Sequence, residues 1–474
     1  MRTLAAKTHE LLSRGALLPL WRLQRVARPS RRTVVRAYFE GMRFRRRAAV
    51  WDGERKRAWV LERLRFVLRR AAAETDYYAE LFARVGFDPR ADFTFEEFAR
   101  LPVLEREDVH GAGQSLVSKA VPAELLRRDS TGGSTGAPTT IWMGPEESGW
   151  GESAIAYSLE RVGAPHGTPT AFLWGHHLDP QTRDSLAERY HHFEFNVRWF
   201  DCFRMSPEVL ERYHQQLERW RPACVVAYAS ALAALAEHVA ERGHRAHYPT
   251  RCFVTGAEKL WPRQREAVER AFQKPVHERY GGRDVGFIGI QTDPRRTLDF
   301  ELDWANVLVE PEGLGTESSI LVTKLHADGM PMIRYRVGDV GRFPRGSEPG
   351  RPAFRLEEVA GRDLSAERLW LPDGRWVNPL QIPHMLKDYP IREFMFVQRE
   401  DYAVELRVVP REGFDDEVGR QIVASVSQNL PGLDVSIVRV EEIPRTRANK
   451  WRPVISEVAP PTGSRRLTNE TQTV

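Results

Sequence analysis

PEVLERYHQQLERWRPACVVAYAS (residues 207–230) runs a helical pattern, 207–220, directly into a short apolar run, 223–230. The same alternation continues on both sides. TAFLW (170–174) is a strand-like run before it, a helix follows to about Arg242, RCFVT (251–255) is a second strand-like run, and PRQREAVERAF (262–272) is again helical. Short apolar runs alternating with helices of ten or more residues build βαβ units, so this region is expected to be α/β with a largely parallel sheet. Upstream, Val60, Leu64, Val67 and Ala71 recur at helical spacing among arginines, which predicts an amphipathic, core-facing helix within 51–73.

Beyond Thr297 the helical pattern gives way to strand-like pieces, NVLVE (306–310) and SILVTKL (319–325), read as a β-rich subdomain. The pattern changes again near 360, where AGRD is followed by the turn LPDGRW. From Glu393 the order is strand (FMFVQ), strand (YAVELRVV), helix (FDDEVGRQIVASVSQNL) and strand (VSIVRV), a small α+β unit. The expected fold is therefore α/β, with a large amino-terminal domain of mostly parallel sheets plus its β-rich subdomain, and a small mobile carboxy-terminal α+β domain. Residues 1–50 form a basic arm, 51–360 the large domain and 361–458 the small one. The segment 459–474, rich in Pro, Thr, Ser and Arg, is expected to be disordered.

The 474 residues are 42% hydrophobic, enough for a sizeable core and for more than one domain. No run approaches the roughly 18 apolar residues of a membrane span, and no secretory signal is read. Cys202, Cys224 and Cys252 are far apart in sequence and form no C-x-x-C pair, which argues against a disulfide framework or zinc knuckle and fits a reducing cytoplasm. The net charge of +5 is uneven: residues 1–70 hold 20 Lys/Arg against 5 Asp/Glu, leaving 50 against 60 in the rest. Such an arm suits a solvated helical extension packed on the main domain, or peripheral contact with an anionic membrane through residues 1–50. The acidic body argues against nucleic acid. Trp174, Tyr228 and Phe253 lie in strand-like runs and read as core. The adjacent His176 and His177 are weak evidence for a metal, and no zinc is assigned.

DSTGGSTGAPTT (129–140) sets three glycines among hydroxyl residues. Glycines let backbone N–H groups turn toward an anion, and Ser/Thr hydroxyls add donors, so the segment suits phosphate. No Gly-Lys-Ser/Thr follows, so it is not a Walker A loop. In order after it come TGAEKL (255–260), YGGRDVG (280–286), LVTKLHADGMPMIRYRVGDVG (321–341), GRD (361–363) and IPRTRANKWRPVI (443–455).

Taken together, these segments resemble the acyl-adenylate-forming superfamily, in its phenylacetate–CoA ligase-like and capsule-biosynthesis-like branch, from about Trp51 to Val458. The resemblance implies ATP-dependent activation of a carboxylic acid as acyl-AMP, with pyrophosphate released and the acyl group passed to coenzyme A or an amine. It implies ATP and Mg2+ as cofactors and coenzyme A as co-substrate; a carrier protein would have to act in trans. Ser130, Thr131, Gly132, Gly133, Ser134, Thr135 and Gly136 would hold phosphates. Gly256, Ala257, Glu258 and Tyr280 would line the nucleotide site, Asp339 would accept the ribose hydroxyls, and Arg362 would add a polar contact. Asp284 stands where the family holds magnesium, Asp363 at the hinge between domains, and Lys450 where a lysine bridges the attacking carboxylate and the α-phosphate.

Four departures from the pattern stand out. Arg283-Asp284 replaces Thr-Glu, Thr139 replaces a lysine, Asn449 replaces a glycine before Lys450, and the hinge segment GRDLSAERLW (361–370) differs from the commoner pattern with paired aspartates. They leave open a second class of function: a catalytically silent nucleotide-binding homologue, acting as a membrane-associated partner in envelope polysaccharide or secondary-metabolite assembly. The expected location is the cytoplasm, free or peripheral at the membrane.

Overall fold

The computed structural model describes residues 29–130, 140–174, 196–202, 205–362, 369–372, 375–377, 386, 389–430, 432–444, 454–458 and 465–466. The chain divides into two compact units: one comprises residues 1–133, 137–337 and 341–359, the other 134–136, 338–340 and 360–474.

The first unit opens with helices α1 (Pro29–Ala48), α2 (Gly53–Glu74) and α3 (Asp76–Val85). Thus the second half of the basic arm is a helix whose Val35, Ala37, Tyr38 and Met42 are buried. It lies on α4 (Pro145–Arg161). The crossing is close because small residues face each other. A side chain at Gly41 would run into Ser153, and one at Gly149 would run into the carbonyl of Val34 and Cβ of Ala37. Helix α2 buries Val60, Leu64, Val67, Leu68 and Ala71 along one stripe, as its 3.6-residue spacing predicts. Asp52 caps its start by accepting from Arg55 N at 2.8 Å. Thr75 ends it, its hydroxyl turning back to Ala71 O at 2.7 Å.

Strands β1 (Arg127–Ser130) and β2 (Thr140–Met143) pair antiparallel. The main sheet then gathers β3 (Thr170–Trp174), β4 (Val197–Asp201), β5 (Cys224–Ala227), β6 (Cys252–Thr255), β7 (Val276–Gly282), β8 (Gly286–Ile290) and β9 (Phe300–Leu302). Helices α5 (Pro207–Trp220), α6 (Ala229–Glu241) and α7 (Pro262–Phe272) connect its parallel strands. A second, four-stranded sheet follows the order β10 (Val307–Pro311), β11 (Glu317–Lys324), β12 (Tyr335–Arg342) and β14 (Glu358–Arg362). Between the last two in sequence, β13 (Arg355–Leu356) returns to the main sheet, whose order is β13-β9-β8-β7-β6-β5-β3-β4.

From β4 to β7 every pairing is parallel, and β7-β8-β9-β13 is antiparallel. The fold class expected from the alternating runs is the one observed: a parallel-rich α/β sheet with a β-rich neighbour. Strands β5 and β6 are buried on both faces, which is why CVVA and CFVT read as unbroken apolar runs rather than alternating ones. In this sheet β3 lies between β4 and β5, so connections leave β3 and β5 in opposite directions. The carboxyl ends of those two strands flank a crevice of the kind where open α/β sheets take ligands.

In the second unit, β15 (Leu369–Trp370) and β16 (Arg375–Val377) pair antiparallel. Strands β17 (Ile391–Gln398), β18 (Val404–Pro410), β19 (Val435–Arg439) and β20 (Val454–Ser456) form a sheet in the order β19-β18-β17-β20. Helix α8 (Asp416–Asn429) is capped by Asp415 and lays Ile422 and Val426 into a core with Phe396, Leu406 and Val408. A further short strand, β21 (Arg465–Arg466), pairs with β16 within the segment expected to be disordered.

Candidate active site

Adjacent strand ends on the main sheet bring several of the expected residues together. Thr255 and Glu278 are register partners on β6 and β7, so Gly256-Ala257-Glu258 emerges beside the strand that carries Tyr280. Ala257 is exposed and holds φ +66°, a left-handed conformation that costs a residue with a Cβ about 1–3 kcal/mol. Glu258 turns back to the start of α6, where its Oε2 accepts from Ser230 N at 2.9 Å. A carboxylate suits that helix end, where N–H groups lack partners. Tyr280 is half-buried and packs edge-on against Phe300, ring centroids 6.1 Å apart.

The turn after β7 holds Arg283 and Asp284. Asp284 Oδ1 accepts from Val285 N at 3.1 Å, and its carboxylate also meets the phenol of buried Tyr335 at the start of β12, whose ionisation burial and this carboxylate both oppose. Arg283 Nη1 stands 4.0 Å from Asp129 Oδ1 on β1. This turn therefore lies near the strand that leads into the glycine-rich segment, and Ser130 and Thr140 are register partners on either side of that segment. Thr131, Gly132, Gly133, Ser134, Thr135 and Gly136 lie outside the described residues, as do Asp363 and Lys450; of Ser130 and Arg362 only the backbone is described.

Among the described residues no three His, Cys, Asp or Glu side chains gather as a metal cage. Asp284 fits a magnesium site of a different kind, because that ion is commonly held by one or two carboxylates together with the phosphates of a nucleotide. Asp339 is half-buried in the middle of β12, after Gly338 at φ +81°.

The neighbouring arginines of that motif are built into the fold. Arg334 is 3% exposed and pairs with fully buried Glu310 at 3.1 Å, while also donating to the carbonyls of Ala99 and Leu101. Arg336 takes both oxygens of Glu105 at 3.0 Å and pairs with Glu312. Leu104 bridges to Tyr335 between them, so the LPVLEREDV segment is bound along β12.

Residues read only as core also reach the carboxyl edge. Phe253 is fully buried, but Trp174 and Tyr228 are half-buried there with ring centroids 4.2 Å apart. Burial, then Cys202 and Glu258, push the Tyr228 phenol up to about 12, and burial with Glu258 and Asp201 does the same to the Cys202 thiol. Cys224 and Cys252, distant in sequence, are register partners with Sγ atoms 4.0 Å apart. The sequence reading also passed over Arg279. Its signal was available: strand alternation carried through β5, β6 and β7 sets Arg279 opposite Glu278 and Tyr280.

No family model matches the chain. It is 23% identical to the phenylacetate–coenzyme A ligase of Pseudomonas putida over 334 residues, 68% of this chain and 73% of that protein. It is 19% identical to protein CapK of Staphylococcus aureus over 267 residues, 56% and 58% of the two chains. Among solved structures, 2-hydroxyisobutyryl-CoA ligase in its postadenylation state, in complex with 2-HIB-AMP, superimposes with a TM-score of 0.68 at 19% identity, covering 85% of this chain and 90% of that one. At that identity the superposition speaks for the fold, while the ordered segments and the relatives speak for the branch. The chain is thus similar, in its ordered segments, its relatives and its fold, to the acyl-adenylate-forming ligases of the phenylacetate–CoA ligase-like branch.

Proposed function

We propose that this protein activates a carboxylic acid with ATP and then passes the acyl group to coenzyme A or to an amine. In the first step a carboxylate oxygen attacks the α-phosphorus, the bond to the β-phosphate oxygen breaks, and its electron pair leaves with pyrophosphate. In the second, the thiol or amine attacks the acyl carbon and AMP departs. The observation that carries the reading is the convergence, in one unit, of Gly256–Glu258 beside the Tyr280 strand, the Asp284 turn, and strands β1 and β2, which flank the glycine-rich segment in sequence.

Two anions must meet in this reaction, so the site needs fixed donors and cations where charge accumulates. The backbone and hydroxyls of residues 130–136 would hold the phosphates, Tyr280 and Gly256–Glu258 the base, and Asp339 the ribose. Asp284 would hold magnesium, which supplies charge compensation on the triphosphate. Lys450 would donate to the oxygens that gain charge in the first step.

A boundary between compact units after Val359 supports a hinge at Gly361–Asp363, since two half-reactions served by one small domain require it to turn. A stable acyl-AMP analogue should then change limited proteolysis near this boundary, and unchanged cleavage with the analogue demonstrably bound would refute the hinge. The reaction itself is tested by ATP–pyrophosphate exchange over aryl, fatty, hydroxy and dicarboxylic acids. Exchange driven by any of them supports the reading. Nucleotide binding without exchange across the panel would instead favour the silent homologue.

A further inference from the structure

The carboxyl edge of the main sheet carries a row of four residues on one face. Leu173, Ala227, Thr255 and Glu278 are successive register partners across β3, β5, β6 and β7. The next residue on each strand is Trp174, Tyr228, Gly256 and Arg279, and alternation sends these four to the opposite face. The ladder persists that far: Tyr228 N donates to Leu173 O and Gly256 N to Ala227 O, both at 3.3 Å. The row starts at the β3/β5 crevice described above.

Its chemistry is uneven. Trp174 and Tyr228 form an aromatic wall, and the Arg279 guanidinium stands 5.8 Å from the Trp174 ring, within cation–π range. Between wall and cation the chain has no side chain at all. A Cβ at Gly256 would sit 3.3 Å from Arg279 Nε and 3.6 Å from Nη2, tight against the guanidinium. Burial pulls Arg279 below its usual basicity, with the Cys224 thiol as the group acting in the other direction. No carboxylate of the described residues pairs with it, whereas Arg63, Arg70 and Arg336 each pair with at least one glutamate. A desolvated cation without a counter-charge is costly, and an anionic ligand would remove that cost.

We propose that Trp174, Tyr228, Gly256 and Arg279 form the acyl subsite and that Arg279 holds a second anionic group of the substrate, which is a dicarboxylate or a carboxylic acid bearing another anion. This inference rests on the adenylation reading above. The carboxylate that reacts is not the one Arg279 takes: clamped by a guanidinium fork, its lone pairs would be withdrawn from attack on phosphorus. The hydrocarbon between the two acidic groups lies against the Trp174–Tyr228 wall, and the glycine at 256 leaves the path across the row open.

Matched acids that differ only in the second charge test this: succinate against butyrate, glutarate against valerate, and 2-carboxyphenylacetate against phenylacetate. Pyrophosphate exchange is measured for each with the unaltered protein, Arg279→Ala and Arg279→Gln. In at least one pair the diacid should have the higher kcat/KM, and both variants should lower the diacid-to-monoacid ratio by about 10- to 100-fold, the span expected for charge-assisted hydrogen bonds. The ratio is internal to each preparation, so partial misfolding does not move it. Arg279→Lys should retain part of the ratio. Preference for the monoacid in every pair, or an unchanged ratio in the variants, overturns the subsite. If no acid drives exchange, the adenylation reading fails first. Calorimetric binding of the same pairs then decides the subsite separately, with diacid binding lost in Arg279→Ala supporting it and no diacid binding overturning it.

Discussion

Asp339 and Arg336 lie three residues apart on β12, yet they do different work. The Arg336 guanidinium is spent on Glu105 and Glu312, contacts that raise its basicity and fasten the segment around Leu104 to the strand. Under the proposed function Asp339 instead receives the ribose hydroxyls, each such charged hydrogen bond contributing about 1.5–3 kcal/mol. Asp339→Ala should therefore weaken MgATP binding by at least about tenfold with little change in melting temperature. Arg336→Ala should lower the melting temperature while its folded fraction binds nucleotide as before. Calorimetric titration beside thermal denaturation separates the two, and equal nucleotide affinity in Asp339→Ala and the unaltered protein would remove the ribose role. Ala257 makes a related point about single residues. Its left-handed backbone is a cost borne at the tip of a strand that faces the site, where a preset loop saves ordering later.

At the scale of elements, the contact between α1 and α4 depends on what is missing from two positions. Any side chain at Gly149 meets the α1 backbone at Val34, and one at Gly41 meets Ser153. Overpacking a contact this close costs typically 1–3 kcal/mol. Gly149→Leu should undock α1 while leaving the main sheet folded, seen as faster tryptic cleavage within residues 29–57, and unchanged cleavage would show that the helices do not depend on the crossing. Elements with a strong period were readable from sequence. The stripe Val60, Leu64, Val67 and Ala71 gave α2, and the runs around 170, 224, 252, 306 and 320 gave β3, β5, β6, β10 and β11. Placement across the sheet was not readable. Neither the insertion of β3 between β4 and β5 nor the return of β13 to the main sheet follows from local pattern, because register and strand order are set by long-range packing. For the same reason Trp174 and Tyr228 read as core: the sequence says that they sit in strands, not that they sit at strand ends. Arg279 gave no local signal because a charged residue in a strand is ordinarily turned to solvent, and only the folded row reveals the absence of a carboxylate beside it among the described residues.

For the whole molecule, acid stability and the order of the two half-reactions are both open to measurement. His326 stacks on Trp150 at 3.7 Å, with Nε2 near Ala305 O at 2.9 Å and Nδ1 near Arg63 Nη2 at 3.0 Å. Burial pushes its basicity down to about 3 despite Glu146, so it is neutral when folded and free to protonate near 6.5 when unfolded. The unfolded chain thus binds more protons between pH 6.5 and 3, and stability falls as pH drops through that window. At pH 5 this one group costs about 2 kcal/mol, and Glu146, held near 2 against burial with the Arg63 guanidinium 2.7 Å away, adds its own loss below pH 4.5. Denaturation midpoints at pH 7.5 and pH 5 should show a smaller difference in His326→Gln than in the unaltered protein; an equal difference would place the acid sensitivity elsewhere. The last test concerns chemistry rather than stability. Lys450 is proposed to donate to oxygens that become charged as the carboxylate displaces pyrophosphate, a role confined to the first step. Removing one such donor typically costs about a hundred- to a thousandfold in rate. The second step moves charge from a thiolate or amine onto an AMP leaving group at the acyl carbon, and asks nothing of a lysine aimed at the attack on phosphorus. Lys450→Ala should therefore lose acyl-AMP formation from acid and ATP by that factor while retaining most of the transfer from supplied acyl-adenylate to the acceptor. Equal losses in both steps would make the lysine structural, and no loss in either would remove it from catalysis.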